Sequence, residues 1–164
     1  MSVDWLLVAR DGGILALGAC ALIGALLKFN PRLLLRHFPE DLQRAVPPKT
    51  PAEKRHSIVG GIALLVWTLA ILIVSAVKAE ARGATDFLSL AVHTFAVGMV
   101  FNLADWLILD ELWIGVMRPR WLAPPGIDPA SIPFEHASHF RAFLRGSVIF
   151  AVIGALIAFV VRLT

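Results

Sequence analysis

The sequence is poor in cysteine, since Cys20 is the single cysteine among 164 residues. A lone cysteine excludes an intrachain disulfide and every metal motif built from several cysteines. The chain also lacks a glycine-rich phosphate loop, a Gly-x-Ser-x-Gly elbow and a Cys-x-x-Cys pair. These absences exclude P-loop nucleotide hydrolysis, serine hydrolase chemistry of the common kind and thioredoxin-like redox work.

Charged residues are scarce as well. They make up 16% of the chain, whereas hydrophobic residues make up 58% and the mean hydropathy is +0.77. A soluble domain holds roughly 45–50% apolar residues and gives each helix a polar face. Four stretches of this chain are instead apolar all around the helix, as lipid or close packing permits. The composition therefore predicts an all-α membrane protein.

Four segments are long and apolar enough to cross a bilayer. A span needs about 20 residues, since the hydrocarbon core is roughly 30 Å thick and a helix rises 1.5 Å per residue. The predicted spans run from about residue 12 to 29, 57 to 77, 87 to 109 and 143 to 161. The first starts as early as Trp5 if Arg10 and Asp11 lie at the head-group level. We therefore predict a single transmembrane domain over residues 1–164, folded as one four-helix bundle.

Lysine and arginine are distributed unevenly between the two ends of these spans. Eleven lie beside the two longer connections, residues 30–56 and 110–142, and four lie on the side of the termini. The positive-inside rule then predicts an inner-membrane protein with both termini outside and both longer connections in the cytoplasm. The formal charge of +3 indicates membrane lipids rather than nucleic acid as partners, because the basic residues flank apolar segments.

The connection between the first two spans has an amphipathic pattern. Its apolar residues, among them Leu33, Phe38 and Leu42, are interleaved with charged ones such as Arg36 and Glu40. This pattern predicts a segment that lies along the membrane surface. The second long connection has five prolines between residues 119 and 133 and is predicted to be irregular.

Small residues recur at four-residue spacing in the first span, at Ala16, Cys20 and Gly24, and in the last, at Ser147 and Ala151, with Gly154 and Ala158 beyond. Such stripes let helix backbones approach closely. They serve either a homo-oligomer or packing inside the bundle. The second interpretation is favoured, because every helix of a four-span protein has internal neighbours.

Polar residues gather where the third span ends and the fourth begins. On an α-helix at 100° per residue, one arc of about 140° holds five side chains of the third span, and Glu111 points elsewhere. Those five are Asn102, Asp105, Trp106, Asp110 and Trp113. The fourth span enters from the same side with two histidines on one face and two arginines on another. The predicted polar cluster comprises Asn102, Asp105, Asp110, His139, Arg141 and Arg145. We expect its two carboxylates to contact His139, Arg141 or Arg145.

Three interpretations of this cluster stay open. The first is a set of structural ion pairs that neutralise charge at the membrane boundary. The second is a divalent-metal site, since mixed carboxylate and imidazole ligands suit zinc, iron or manganese. Its ligands would be Asp105, Asp110, His136 and His139, which do not form the His-Glu-x-x-His motif of zinc proteases. The third is proton handling by a carboxylate and a histidine. His93, alone inside the third span, is expected to bond to a neighbouring helix rather than to form part of a proton relay.

Three segments carry a resemblance to known sequences, residues 30–43, 102–110 and 139–146. They resemble a family of small bacterial membrane proteins of unknown function. The family's corresponding stretches read Tyr-Pro-Pro-Asp-Ile-Gln, Asn-Trp-x-Asp-x-Leu-Val-Ile-Asp and His-Ile-Lys-Gly-Phe-Leu-Ile-Gly. The resemblance covers most of the chain from Asn30 onward, although Phe38-Pro39-Glu40-Asp41 replaces the tyrosine and the second proline. It implies that Asp105, Asp110, His139 and Arg141 occupy the family's polar positions, while His136 has no clear counterpart. No activity comes with it.

These observations favour a binding or accessory component of a membrane assembly. The alternative is a membrane-embedded metal-dependent enzyme, or a proton- or metal-coupled transporter, that uses the cytoplasmic-side Asp/His cluster. A transporter would place polar residues near the midplane of several spans, and here only the third span has any. An enzyme would need a water-accessible pocket, which a cluster at the membrane boundary could supply. The sequence names no cofactor, and a divalent metal is the one that the cluster suggests.

Overall fold

The computed structural model describes residues 3–37, 43–44, 46–124 and 126–163. It confirms the predicted all-α fold, a bundle of the helices α1 (Trp5–Phe29), α2 (Pro51–Ala81), α3 (Phe87–Ala104) and α4 (His136–Leu163). The helix α3 continues directly into a π-helical segment, Asp105–Met117, which we call the π segment. With α3 and the π segment taken as one helix, the described residues contain four helices long and apolar enough to cross a membrane. Each predicted span lies within one of them.

Three of the helices begin at side chains that cap them. Asp4 accepts a hydrogen bond from the Leu7 amide at the start of α1, and Asp86 accepts one from the Ser89 amide at the start of α3. Thr50 and Glu53 form a reciprocal capping box at the start of α2. Such caps satisfy amide groups that the first helical turn leaves without a partner. Local sequence therefore fixes where these helices start.

The helix α3 lies at the centre of the bundle and contacts α1, α2 and α4. A short turn joins α2 to α3, as expected for an antiparallel pair. Gly83 in this turn has φ of +101°, a conformation that favours glycine because it has no Cβ. The core between the helices consists of apolar side chains that are completely buried, among them Leu15, Leu72, Leu90, Val97 and Ala158. Many apolar side chains on the outside of the bundle are exposed, as lipid-facing surfaces require.

The two ends of the bundle differ in content. The start of α1, the α2–α3 turn and the end of α4 lie together at one end, which we call the terminal face. Two ion pairs hold it together: Arg82 Nη1 lies 2.9 Å from Asp4 Oδ2, and Arg162 Nη1 lies 3.3 Å from Glu80 Oε1. The opposite end, which we call the loop face, carries the connections α1–α2 and α3–α4.

Small residues bring α3 and α4 into close contact. A Cβ atom added at Gly154 would lie 3.0 Å from the Ala91 carbonyl oxygen, so the two backbones nearly touch there. Gly98 likewise lies against the ring of Phe150, and Ala158 is fully buried. Gly154 and Ala158 of the predicted stripe thus pack inside the bundle, as expected if the stripe serves internal packing. Ala151 is exposed, and a homo-oligomer stays a prediction.

The described part of the α1–α2 connection packs against α1 and α2. Pro31–His37 forms a 3₁₀-helix, and Leu33 within it is buried. Arg32 holds this connection to α2, because its guanidinium donates to Glu53 at 2.8 Å and to the Pro47 carbonyl at 2.9 Å. The rest of the predicted amphipathic segment, including Phe38, Glu40 and Leu42, lies outside the described residues.

Candidate functional site at the loop face

The π segment places the polar residues of the third span. In a π-helix each amide bonds to the carbonyl five residues earlier, and such segments occur frequently at functional sites. At its end, the Arg118 amide donates to the Trp113 carbonyl at 2.8 Å. The segment of 13 residues contains Asp105, Trp106 and Asp110. A short π-bulge is the usual form, so this length is itself a feature of the site.

Asn102 lies in the contact between α3 and α4, just before the π segment begins. Its side chain is buried, and its Nδ2 donates to the Phe143 carbonyl at 3.0 Å and to Ser147 Oγ at 3.1 Å. Gly146 leaves room for this amide, since a Cβ there would collide with Asn102 Oδ1. Asn102 therefore has a structural role that joins two helices.

Two histidines of α4 pair with two carboxylates of the π segment. His139 Nδ1 lies 3.0 Å from Asp110 Oδ2, and His136 Nδ1 lies 2.7 Å from Glu111 Oε2. Both imidazole rings contact the ring of Phe134, with centroids 4.6 Å and 4.7 Å away. The predicted contact between Asp110 and the fourth helix is therefore present.

Asp105 differs from these carboxylates because no described residue pairs with it. Its side chain makes no hydrogen bond or ion pair with any described residue. It is partly buried. Asp105 thus lacks the direct contact with the fourth helix that the sequence predicted.

Trp106 adds an unused donor to the site. Its indole packs against the rings of Phe140 and Phe143, with centroids 5.4 Å and 5.0 Å away. Its Nε1 is buried and has no hydrogen-bond partner among the described residues. A buried indole N–H usually finds an acceptor. The site therefore holds one acceptor group, at Asp105, and one donor group, at Trp106, that the described protein does not use.

The four residues predicted as metal ligands do not form one cluster. His139 pairs with Asp110, His136 pairs instead with Glu111, and Asp105 forms no ion pair with a described residue. Within the described ranges there is no group of three or more His, Cys, Asp or Glu side chains placed to hold a metal ion. The geometry thus gives the metal hypothesis no support.

The two arginines of the predicted cluster lie outside the site. Arg141 and Arg145 are exposed on α4 and form no ion pair with a described residue. Their charges are therefore available at the membrane boundary, where anionic lipid head groups lie.

The α3–α4 connection packs against the end of the π segment, where the ring of Phe134 lies against Gly115. Arg118 takes the left-handed conformation, with φ of +43°, and its guanidinium donates to the carbonyls of Gly115, Ala130 and Ile132. Leu122 and Pro124 are buried. The two short 3₁₀-helices, Arg120–Leu122 and Pro129–Ser131, are the regular structure that this connection contains among its described residues.

The α-helical arc predicted for the third span is wrong beyond Asp105. Trp113 lies against Gly24 of α1 and the ring of Trp121, rather than beside the carboxylates. Glu111, which the arc placed elsewhere, joins the site by pairing with His136. The reason is the π segment, in which the angle between successive side chains is smaller than 100°.

A second polar group, which the sequence did not predict as a group, lies inside the bundle near the terminal face. Asp11 is 3% exposed and pairs with Arg10 Nε at 2.8 Å and with Lys78 Nζ at 3.7 Å. Ser75 Oγ lies 2.9 Å from His93 Nε2, which confirms the expected bond between His93 and a neighbouring helix.

At the surface of this end, the Leu7 amide and the Arg82 guanidinium lower the pKa of Asp4, and the Ser89 hydroxyl lowers the pKa of Asp86.

The chain matches no family model, no curated protein and no solved structure. The resemblance to the family of small bacterial membrane proteins therefore stays a prediction.

Proposed function

We propose that this protein is a binding or accessory component of a membrane assembly, and that its loop-face site receives a positively charged side chain of a partner. The observation that carries this proposal is Asp105, an acidic residue near the hydrocarbon boundary that has no partner among the described residues. A charged side chain inside a membrane costs roughly 2.5–3.5 kcal/mol at the bilayer centre and less towards the boundary. A carboxylate with that cost and no partner among the described residues is explained best by a partner on another protein.

The neighbours of Asp105 support a binding site rather than a catalytic one. The Trp106 indole N–H can donate to a carbonyl of the same partner, and the pair His139–Asp110 holds α4 beside the π segment. A metal-dependent enzyme or transporter would need three or more ligands in one place, and the described residues offer pairs. We therefore place the enzyme and transporter hypotheses second.

We further propose that the loop face is cytoplasmic, that both termini lie outside, and that the membrane is a bacterial inner membrane. The positive-inside rule supports this orientation. The exposed arginines at positions 120, 141 and 145 lie at the loop face and form no ion pair with a described residue. Reporter domains fused after residue 164 should be active only if the reporter works outside the cytoplasm. Activity of a cytoplasmic reporter would reverse the orientation.

A photo-crosslinking amino acid at position 140 tests the partner proposal. The Phe140 ring is 44% exposed and contacts Trp106, so benzoylphenylalanine is a conservative replacement there. We expect a discrete crosslinked product in native membranes that the substitution Asp105→Asn abolishes. Val152 on the same helix is also exposed and lies 12 residues nearer the terminal face, so it is the control position. Crosslinking at position 140 that persists in Asp105→Asn would contradict the proposal.

A further inference from the structure

The side of α4 that faces away from the bundle carries two arginines, Arg141 and Arg145, one helical turn apart. At 100° per residue, both lie about 140–180° around the helix from Phe150 and Gly154, which pack against α3. Both arginines are exposed. They therefore face the surrounding lipid rather than the polar residues of the loop-face site.

The charges of these two arginines are not neutralised by the part of the protein that the structure describes. The helix α4 contains no aspartate or glutamate, and neither guanidinium forms an ion pair with a described residue. Side chains four residues apart on a helix are neighbours, with about 5–6 Å between their Cβ atoms, and like charges at this spacing repel. An external anion that contacts both guanidinium groups would remove this repulsion.

Arg145 also lies at a depth where an unpaired charge is costly. Residues 146–161 contain no charged side chain, and Arg162 beyond them pairs with Glu80 at the terminal face. The separation of Arg145 and Arg162 corresponds to about 26 Å along the helix, whereas the hydrocarbon core is roughly 30 Å thick. A core that ends at Arg162 therefore extends past Arg145, close to Arg141. Arginines at such positions extend their charged ends to the head groups.

The direction of α4 allows both arginines to reach one head group. Each Cα–Cβ bond of an α-helix is tilted towards the N-terminus of the helix, and the N-terminus of α4 lies at the loop face. The Arg145 side chain therefore starts towards Arg141 and away from the centre of the membrane. Four exposed apolar side chains continue the line of the arginines within an arc of about 80°. This apolar strip consists of Val148, Val152, Leu156 and Phe159.

We propose that Arg141 and Arg145 bind the phosphate of an anionic phospholipid, and that an acyl chain of the same lipid lies along the apolar strip. Guanidinium groups donate paired hydrogen bonds to phosphate oxygens. Two positive charges without a carboxylate beside them favour a head group that has no ammonium group, as in phosphatidylglycerol, over that of phosphatidylcholine. The site lies on the lipid-facing side of α4 and does not depend on the partner proposed for Asp105.

Native mass spectrometry of the full chain in detergent tests this site, by titration with phosphatidylglycerol or with phosphatidylcholine of the same acyl chains. We expect the first phosphatidylglycerol to bind at least about fivefold more tightly than the first phosphatidylcholine. Its Kd should rise about fivefold in Arg141→Gln and in Arg145→Gln, since one cation at a membrane surface contributes about 1 kcal/mol. Equal Kd values for the two lipids in wild type would overturn the proposal.

Two controls separate a specific lipid site from attraction by net charge. Arg120→Gln removes an exposed cation from the loop face, but Arg120 lies in a 3₁₀-helix that packs against α1, so the Kd should stay unchanged. Glycerol phosphate carries the same anion without acyl chains, and it should not displace the lipid at equal concentration. The proposal would be wrong if Arg120→Gln weakened binding as much as Arg145→Gln, or if glycerol phosphate displaced the lipid.

Discussion

The terminal face and the loop face of the bundle deal with charge differently. The terminal face has four cations and four carboxylates, and each of its cations pairs with a carboxylate in the structure. By sequence position, eleven cations and eight carboxylates belong to the opposite side of the spans, which therefore carries the whole net charge of +3. There, Asp105 has no partner among the described residues, and exposed cations such as Arg120, Arg141 and Arg145 form no ion pair with them. The cations of the terminal face are paired within the protein, whereas the loop face has charged side chains that can bind lipids and partners.

The largest effect that would sharpen this comparison is expected at Asp11. Asp11→Asn removes the contacts to Arg10 and Lys78, and should lower the free energy of unfolding by about 2 kcal/mol. Breaking a fully buried ion pair costs roughly 3–5 kcal/mol, but both cations here are half exposed and regain water. The melting temperature in nanodiscs should fall by about 4–8 °C. An unchanged melting temperature would mean that the terminal face is not held by these pairs.

A smaller effect is expected at Asn102, which is the structural part of the loop face. Asn102→Leu removes the bonds to the Phe143 carbonyl and Ser147 Oγ. Hydrogen bonds between membrane helices contribute about 0.6 kcal/mol on average, so the two bonds together should contribute about 1 kcal/mol. Unfolding in detergent mixtures measures the loss. Ser147→Ala removes one of the bonds and should show roughly half of the effect; a larger loss in Ser147→Ala than in Asn102→Leu would contradict this assignment.

The pH dependence of stability should reveal the ion pair at the surface of the terminal face. Because the pKa of Asp4 is lower in the folded protein than in the unfolded chain, the pair with Arg82 contributes fully above the unfolded pKa of about 3.9. Its contribution is lost as the pH falls below that value and through the folded pKa. The effect is small, because this pair is exposed. Between pH 6 and pH 3, the melting temperature should fall less with decreasing pH in Asp4→Asn than in wild type. The same pH dependence in both proteins would exclude a contribution from this pair.

Most of the fold follows from the sequence, because apolar length alone identifies the four helices. Capping residues such as Asp4 and Thr50 add their starting points. The pairing of His139 with Asp110 also follows, since the ends of two consecutive helices must lie together.

Two features of the polar regions do not follow from the sequence. The π segment has an ordinary helical composition, so its residues do not predict that the backbone hydrogen bonds change from a spacing of four residues to one of five. That change moved Glu111 into the site and Trp113 out of it. The burial of Asp11 was missed for another reason. An acidic residue close to the end of an apolar run is compatible with the head-group level, and only the positions of α2 and α3 show that it is enclosed. The adjacent Arg10–Asp11 pair inside an apolar helix was the available signal.

The melting temperature of Asp105→Asn, measured beside wild type and Asp11→Asn in the same nanodiscs, tests the central claim most directly. A carboxylate without an internal partner adds cost and no stabilising contact, so its replacement by a neutral amide of the same shape should leave the melting temperature unchanged or raise it. Asp11→Asn should melt lower in the same series. If Asp105→Asn instead melts as far below wild type as Asp11→Asn does, then Asp105 stabilises the fold. That result would contradict the proposal that the Asp105 carboxylate binds a partner.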